Sequence, residues 1–536
     1  TTDPGGISFI TEYRWVFGDG DEITGSPGAT IPGGTNGGRT TGTFDDPEHK
    51  YISPGSKNVV LSVKTNDGCD NSKPKTISIL VSGSTVTPDA TAGYNNNFEI
   101  DNGEWVSDSL KISSSPDTYS TNSWVLGIPT GNVIKALPDN TTTSAWWTGG
   151  NGNTYFPSEE SVVNGPCFDL QLLSRPMITL DYWSDAEANL DGAALQYSTD
   201  GGLTWNIVGP LASSPSEGIN WYNGQTVQSN PGRQPFGSNG WTGKLTGWRN
   251  GRFNLDMIPQ AERDQVRLRV AFSSNNTNDP SRTFDGFAFD NIFIGERKRN
   301  VMVEYFTNAG INASTNTYFD NLYAAQFTGP TPKDSSDFFK IQYHIANPSA
   351  DPINQDNPID PKARSVFYGI SQPPSAIMDG ILGNYYGTIF NGNYLTITEE
   401  QLERRSLEDP LFDIKLDTLT ATATTIKFHA EFTYKHPTLA FSTPVTVHVA
   451  LVEDNLGTPS QRNVLRKFLL GTEGVTLNLP WSFNHMEAID RDLEIDAPIG
   501  TNNNNLYLVA FIQDKRFDSK TIHQAIKIKL SKKTQA

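Results

Sequence analysis

Cysteine and histidine most often carry out nucleophilic catalysis or bind transition metals, and this chain is poor in both. It has two cysteines, Cys69 and Cys167, and seven histidines among 536 residues. Two distant cysteines make neither a disulfide framework, a zinc finger nor a Cys-x-x-Cys redox pair. The histidines lack the spacing of His-Glu-x-x-His or His-x-x-x-His metal motifs, and the chain has no Gly-x-Ser-x-Gly elbow and no phosphate loop. The sequence therefore favours a chain without catalytic chemistry.

One histidine has acidic residues after it in the sequence. His344 ends a predicted strand, and Asp351 and Asp356 follow in the next loop. Imidazole and carboxylate groups together bind metal ions, so these three residues are one candidate metal site. The favoured interpretation is a strand-end histidine beside solvated loop acids.

Tryptophans in loops rich in Gly and Asn are a second kind of candidate. Trp221, Trp241 and Trp248 lie in such loops. Exposed aromatic rings stack on sugars, which makes these three residues a candidate sugar-binding set. Packing in a core is the commoner fate of tryptophan, and the sequence leaves both interpretations open.

The composition limits the classes of partner. The formal net charge is −18, from 41 Lys and Arg against 59 Asp and Glu. Such a charge repels phosphate backbones and anionic lipids, which argues against nucleic acid and membrane surfaces as partners. It is compatible with a divalent cation such as calcium, although solubility alone also explains it. No apolar run approaches the roughly 20 residues of a membrane span.

The elements that must position these residues are predicted to be mainly β-strands in several domains. The chain has 47 Gly and 33 Pro, and its length exceeds the roughly 100–200 residues of one domain. Short alternating segments separated by turn residues are typical of β-sandwiches. The predicted domains are an Ig-like sandwich at 1–84, a jelly-roll sandwich at 89–297, a thioredoxin-like α/β domain at 298–408 and a β-sandwich at 409–536.

The first domain carries a recognisable pattern. Residues 15–20 read Trp-Val-Phe-Gly-Asp-Gly, followed by a His-x-Tyr step at 49–51 and a turn at 66–68. This region resembles the PKD domain of bacterial and archaeal surface proteins, an Ig-like sandwich. The resemblance implies that Asp19 and Asp21 shape a turn, with cation binding as the alternative. Family members have one or two earlier strands, so the chain is expected to be the carboxyl-terminal portion of something longer.

The second domain has a characteristic beginning, hairpin and end. Residues 97–105, the hairpin at 195–205 and the closing Asp-Asn-Ile at 290–292 resemble jelly-roll domains of the MAM-like kind. In such folds the first and last strands are neighbours. The resemblance therefore implies that Glu99, Asp101 and Asp290 form a structural calcium or sodium site. The alternative is surface carboxylates beside turns.

The third domain is predicted to contain helices. A charged hinge at 296–300 precedes a strand, and the next helix has Phe319, Leu322, Tyr323 and Phe327 on one face. A second helix is predicted to begin at Asp360 as N-cap, to turn Val366 and Phe367 inward and to end at Gly369. The order of strands and helices is that of a thioredoxin fold.

The third and fourth domains together resemble a family of Bacteroidota, that of the twenty-eight-kilodalton outer-membrane protein. The matching stretches include residues 303–308, 374–380, 452–454, 464–467 and 509–514. Members join a thioredoxin-like domain to a β-sandwich and are described as surface adhesins. Relatives often have Cys-x-x-Cys where this chain has Ile311 and Ser314, so redox chemistry through that motif is excluded. Pro374 takes the place of the thioredoxin cis-proline.

These features predict a non-catalytic structural or adhesive protein on the surface of a member of Bacteroidota. The resemblance implies export by the type nine secretion route. The expected partners are other surface proteins, copies of the same chain or glycans, within a larger assembly or filament. Two alternatives remain open: a carbohydrate-binding surface protein, and an accessory region of a larger secreted enzyme.

Overall fold

The structure is a computed structural model of mainly β architecture, and it divides into two compact units, Thr1–Gly295 and Glu296–Ala536. The residues that it describes are 9–32, 40–51, 55–79, 85–110, 119–137, 143–209, 218–224, 226–276, 283–328, 332–422, 424–439, 441–456, 461–478, 480–494, 505–516 and 519–530. Several β-sheets build both units, which confirms the predicted fold class. None of the helices in these ranges is long and apolar enough to span a membrane.

The first unit begins with a small four-stranded sheet in the order β2-β1-β5-β6 and a separate hairpin, β3-β4. The strands are β1 (Ile10–Val16), β2 (Glu22–Gly25), β3 (Thr40–Gly42), β4 (Pro47–His49), β5 (Gly55–Thr65) and β6 (Asp70–Ile79). Phe17, Ile23, Ile31 and Phe44 form its core, and the indole N–H of Trp15 donates to the Phe44 carbonyl over 2.8 Å. The predicted turns at Gly-Asp-Gly and at 66–68 are both present.

Two larger sheets build the rest of the first unit. Their strands are β7 (Tyr94–Asn96), β8 (Val106–Ser109), β9 (Trp124–Gly127), β10 (Ala145–Thr148), β11 (Glu160–Phe168), β12 (Pro176–Asp185), β13 (Gly192–Ser198), β14 (Asn206–Ile207), β15 (Trp241–Thr242), β16 (Arg249–Asn254), β17 (Val266–Ser273) and β18 (Gly286–Glu296), with a 3₁₀ helix at Gln260–Gln265. One sheet has the order β16-β12-β18-β10-β9, with β7 on β18. The other has the order β14-β13-β17-β11-β8, with β15 on β13. An aromatic-rich core includes side chains from both sheets, as in a β-sandwich.

Two local predictions for this sandwich are confirmed. β13 and β14 pair as an antiparallel hairpin, and Gly201 and Gly202 at its tip have φ of 75° and 95°, which glycine adopts without steric cost. The first and last strands, β7 and β18, are antiparallel neighbours with Asn96 opposite Ile292.

The second unit is built on one eight-stranded sheet in the order β21-β19-β20-β27-β26-β30-β31, with β28 on β26. The strands of this unit are β19 (Val301–Thr307), β20 (Phe338–His344), β21 (Ser375–Met378), β22 (Gly383–Tyr385), β23 (Thr388–Phe390), β24 (Phe412–Ala421), β25 (Thr425–Tyr434), β26 (Val445–Glu453), β27 (Val464–Phe468), β28 (Val475–Leu477), β29 (Met486–Glu494), β30 (Leu506–Asp514) and β31 (Ile522–Lys529). β19 and β20 are parallel, whereas β21 is antiparallel to β19. The remaining strands form the hairpin β22-β23 and the sheet β24-β25-β29.

Strand β26 shows how this sheet joins two layers. Val445, Val447 and Val449 belong to a core shared with β24 and β25, whereas Ala450 and Val452 belong to a core shared with β19 and β20. Successive side chains of a strand point to opposite faces, so a strand buried on both faces is apolar at every position. The eight-stranded sheet contains strands from both sides of the domain boundary predicted at 408/409. That boundary therefore separates two packing layers on one continuous sheet.

Helices lie between the strands of the region predicted to be thioredoxin-like. They are α1 (Ala313–Asn316), α2 (Tyr318–Ala325), α3 (Pro352–Asp356), α4 (Ile359–Tyr368) and α5 (Glu399–Ser406), with a 3₁₀ helix at Tyr394–Thr396. Gly369 ends α4 with φ 70°, as predicted, and Thr398 caps α5 by accepting from the Gln401 N–H. The peptide bond before Pro374 is cis.

Two predictions for α4 are wrong. The helix begins at Ile359, so Asp360 lies in its first turn and accepts from the Phe468 N–H at 2.8 Å. Val366 is 70% exposed, and Phe367 is also exposed. The buried face instead carries Arg364 and Tyr368, because these polar side chains reach a carboxylate under the helix.

That carboxylate belongs to Glu304 of β19, which is fully buried. Arg364 Nε and Nη2 donate to its two oxygens at 2.5 and 2.9 Å. The hydroxyls of Tyr343 and Tyr368 donate to the same carboxylate at 2.9 and 2.5 Å. Burial, followed by the negative charge of Glu304, holds the pKa of both tyrosines well above the usual value, and the positive charge of Arg364 opposes this shift only in part. A buried charge is stable only when paired in this way.

The stretch 296–300 is not the exposed charged hinge that its composition indicates. Arg297 is fully buried and donates to Asp337 Oδ1 at 2.9 Å. Arg299 is also buried, and its Nη1 lies 3.3 Å from Asp379 Oδ2, which also accepts from Arg405 Nε at 2.8 Å. Both arginines therefore anchor the start of β19.

Replacing Arg364 with Met is expected to lower the free energy of unfolding of the second unit by about 3–5 kcal/mol, because Glu304 would stay buried without its cation. Chemical denaturation monitored by circular dichroism measures the change. The control is Lys415→Met, which removes an exposed ion pair and should alter stability little. Equal stability of the two variants would contradict the role given to this pair.

Candidate functional site

The three carboxylates predicted to bind calcium have separate partners, although the strands β7 and β18 are neighbours. The Ser144 N–H donates to Glu99 at 2.9 Å, and the Gly103 N–H donates to Asp101 at 2.8 Å within a turn. Asp290 is buried and accepts from the Asn291 N–H at 2.6 Å. In the described part of the chain these residues do not form a group whose ligand atoms lie within 4.8 Å of one another.

The tryptophans predicted to bind sugars belong mostly to the core of the sandwich. Trp241 is fully buried and Trp221 is 4% exposed, with ring centroids 5.0 Å apart. Trp248 is half-buried, packs on Trp183 and donates from its indole N–H to the Lys135 carbonyl at 2.8 Å. The prediction of exposed rings is wrong for Trp221 and Trp241, because β15 and the loop before it cover the sandwich interior.

A different group of potential metal ligands lies in the small sheet of the first unit. Ligand atoms of Asp19, Asp21 and His49 lie within 4.8 Å of one another. His49 Nε2 is 3.0 Å from Asp19 Oδ2, and its Nδ1 is 2.7 Å from Thr40 Oγ1. The ring also stacks on Phe17 at 4.0 Å. Since both ring nitrogens already have hydrogen-bond partners, the group is explained as a network that fixes the turn.

Hydrogen bonds also stabilise the turn that contains Ile311 and Ser314, the positions of Cys-x-x-Cys in the resembled family. Asn312 caps α1, its side chain accepting from the Ser314 N–H at 3.2 Å. His344 is buried, and its Nδ1 lies 2.7 Å from Asp351 Oδ2, which also accepts from the Ala309 N–H. Asp356 instead pairs with Arg466 at 3.2 Å. The predicted solvated acid Asp351 is thus a buried partner of His344 and the cap of α3.

An open concavity lies in the second unit, between α2, the sheet and residues that follow β26 and precede β27. We name it the α2 groove, and its volume is about 600 Å³. That volume is in the range of small-molecule sites. Five aromatic rings line it: Phe319, Tyr323, Phe327, Phe338 and Tyr507. Phe319 and Phe338 are buried and form its floor, whereas Tyr323 and Phe327 are 42% and 36% exposed.

Five charged side chains line the same groove. Lys340 of β20 pairs with Asp320 of α2 at 2.7 Å. Arg462 pairs with Asp454 through two hydrogen bonds of 2.6 and 2.9 Å. The fifth is Lys527 of β31, whose ammonium group donates to the neutral Asn463 side chain and lies 4.2 Å from the centroid of the Tyr507 ring.

Burial and neighbouring charges shift the pKa values in the groove. Burial lowers the pKa of Lys340 and raises that of Asp320, with the attraction between them opposing both changes. Burial raises the pKa of Asp454, whereas the hydrogen bonds to Arg462 and its charge lower that pKa. The lowering effects together are larger, so the pKa of Asp454 lies below its usual value. Burial lowers the pKa of Lys527 to about 8. Lys527 is therefore mostly charged at neutral pH, and its charge is the least compensated of the five.

Sequence reasoning missed the α2 groove, although two signals pointed to it. The predicted helix has Tyr323 and Phe327 on one face with Phe319, but α2 ends at Ala325 and both rings are exposed. Lys340 stands inside the buried strand β20, and Lys527 stands between two isoleucines of β31. A lysine at such a position requires either a partner or an opening to solvent. What one sequence cannot show is that α2, β20, β30 and β31 converge.

Comparisons with known proteins gave partial structural likenesses only. No family model and no curated protein matches the chain. Among solved structures, HBP35 of Porphyromonas gingivalis is similar at 14% identity and a TM-score of 0.35, covering 45% of this chain and 78% of that one. A domain of the outer membrane lipoprotein Omp28 from Porphyromonas gingivalis is similar at 17% identity and a TM-score of 0.18, covering 23% and 92%. The K1 cleaved adhesin domain of Lys-gingipain from Porphyromonas gingivalis W83 is similar at 15% identity and a TM-score of 0.20, covering 38% and 98%.

Replacing Trp241 with Ala is expected to lower the free energy of unfolding of the first unit by about 3–5 kcal/mol, because it opens a cavity in the sandwich core. Denaturant titration followed by tryptophan fluorescence measures this loss. Phe236→Ala, at a residue that is 71% exposed, is the control and should change little. A stable Trp241→Ala variant would restore this residue as a candidate surface site.

Proposed function

We propose that this chain is a non-catalytic surface protein that binds its partners through the α2 groove. The observation that carries the proposal is the composition of that groove: exposed aromatic rings beside ammonium, guanidinium and carboxylate groups in one concavity of about 600 Å³. Binding sites combine apolar area with a few fixed polar groups, because the first gives affinity and the second gives specificity.

The polar groups of the groove are held in place before any ligand arrives. Lys340 is 3% exposed and is fixed by its bond to Asp320. The two bonds between Arg462 and Asp454 fix the guanidinium plane. Preorganised groups lose little conformational entropy on binding, so such a groove is suited to recognition.

A non-catalytic role is supported by the residues at the turn after β19. Ile311 and Ser314 stand where members of the outer-membrane protein family that the sequence resembles often have Cys-x-x-Cys, and neither side chain forms a thiolate or a disulfide. The Ser314 hydroxyl donates instead to the capping side chain of Asn312 at 3.2 Å. This turn therefore acts as structure in the proposed function.

The surface location is supported by the sequence patterns that resemble the PKD domain and the outer-membrane protein family of Bacteroidota. Secretion by the type nine route and incorporation into a larger assembly are part of the same proposal. Light scattering of the purified chain, alone and mixed with cell-surface extract, tests assembly.

The wild-type chain is expected to reduce insulin disulfides no faster than the uncatalysed control, because its turn has no thiol pair. The double variant Ile311→Cys/Ser314→Cys should gain measurable reductase activity, since the start of a helix lowers thiol pKa values. Turbidity of insulin after addition of dithiothreitol is the measurement. Reductase activity of the wild type above background would contradict the non-catalytic proposal.

Filling the α2 groove is expected to abolish binding. Ala324 lines the groove, and Ala325 is its exposed neighbour on α2 outside the lining. Beads coated with the chain are applied to arrays of immobilised glycans, matrix proteins and the chain itself. Ala324→Trp should lower retention by about tenfold or more, a loss of about 1.4 kcal/mol, whereas Ala325→Trp should retain the wild-type level. Equal retention of both variants would exclude the groove as the binding site.

A further inference from the structure

The α2 groove contains hydrogen-bond donors and acceptors side by side. The ammonium groups of Lys340 and Lys527 and the guanidinium of Arg462 only donate, whereas the carboxylates of Asp320 and Asp454 only accept. A ligand that contacts these side chains must therefore both accept and donate hydrogen bonds at neighbouring positions. Hydroxyl groups do both with a single atom, and a sugar ring carries several of them.

The aromatic part of the groove fits the same ligand. Tyr323 and Phe327 lie 5.2 Å apart between ring centroids, tilted by 56°, and are exposed. The C–H faces of a sugar ring are apolar and pack on such rings, while its hydroxyls point outward to polar groups. An aliphatic peptide side chain would also cover the rings but would make no hydrogen bond with the charged groups beside them.

Charge decides which sugar fits. The groove contains three cations and two carboxylates, and the two short ion pairs use Lys340 and Arg462. In the described ranges Lys527 has no carboxylate within the 4.0 Å of an ion pair, and its hydrogen bond goes to Asn463. A ligand carboxylate placed beside Lys527 would supply the missing anion and would be partly shielded from water.

We propose that the α2 groove binds an acidic saccharide, with its carboxylate paired to Lys527 and its ring packed on Tyr323 and Phe327. This inference rests on the proposed function and names the ligand class of the same groove. Lys527 is the specificity-determining residue that distinguishes acidic from neutral sugars.

Proton linkage gives the expected pH dependence. The groups that face Lys527 are Asp320 on α2, Lys340 on β20, Asp454 and Arg462 beside β27, and Tyr507 on β30. Burial holds the pKa of Lys527 near 8, below the usual lysine value, so the amine loses its charge as the pH rises through 8. An anionic ligand binds the charged form. Its affinity should therefore be nearly full at about pH 7 and below, and should fall about 30-fold from about pH 7 to about pH 9.5 if only the ammonium form binds.

The test is titration calorimetry of the whole chain with a galacturonic acid trisaccharide, with the neutral galactose trisaccharide and N-acetylphenylalanine as comparison ligands. The acidic sugar should bind, and the neutral sugar should bind about tenfold or more weakly. Lys527→Met should remove this preference and the pH dependence, whereas Lys527→Arg should keep the preference and move its loss to higher pH. Lys467→Met, at an exposed lysine of β27, is the matched control and should bind as the wild type does.

Several results would overturn the inference. Equal affinity for the acidic and neutral trisaccharides would remove the role of Lys527. Tighter binding of N-acetylphenylalanine than of either sugar would indicate a peptide carboxylate as the ligand. If no saccharide binds while Ala324→Trp still abolishes bead retention, the ligand class is wrong and the proposed function stands. Unfolding of Lys527→Met at the same denaturant concentration as the wild type, or at a higher one, excludes misfolding as the cause of lost binding.

Discussion

The second unit depends on two strands that are buried on both faces. In β30, Leu506, Leu508 and Ala510 face the core shared with β24 and β25, whereas Val509 and Phe511 face the core shared with β19 and β20. Every position of such a strand must be apolar or fully hydrogen-bonded, because no face is open to water. This constraint makes the two layers one folding unit, and a cavity in either strand would weaken both cores.

The same constraint explains the buried charges of this unit. Glu304 lies under the layer of helices, where water does not satisfy a carboxylate, so Arg364 and two tyrosines do. The polar face of α4 must therefore turn inward, which leaves Val366 exposed.

The edge strand β31 also has a hydrogen-bond partner outside its own sheet pairing. The Ile522 N–H of β31 donates to the Asp379 carbonyl beyond β21 at 2.8 Å, which pairs backbone that would otherwise template aggregation.

The sequence was sufficient to predict most strands, but it was not sufficient to predict which polar groups contact one another. Alternation and turn residues predicted the hairpin of β13 and β14, because a hairpin depends on a local pattern, and the resemblance to MAM-like jelly rolls implied that the first and last strands, β7 and β18, are neighbours. The predicted calcium set of Glu99, Asp101 and Asp290 depends instead on side-chain directions, and each carboxylate found a nearer donor. Trp241 was ambiguous, since the same ring suits a core and a sugar. The hydrophobic rule for α4 was misleading at Arg364, because a helix face can be buried through charge pairing.

Two of the charges in the α2 groove are lysines of the strands that border it. Lys340 and Lys527 belong to strands that also supply core residues, and their long side chains reach the groove while their stems stay on the sheet. Asp320 and Asp454 compensate two of the three cations. Holding a third ammonium in a partly buried site costs folding free energy, as the lowered pKa of Lys527 shows. A bound anion would recover that cost, so the charge that weakens the empty fold would strengthen the complex.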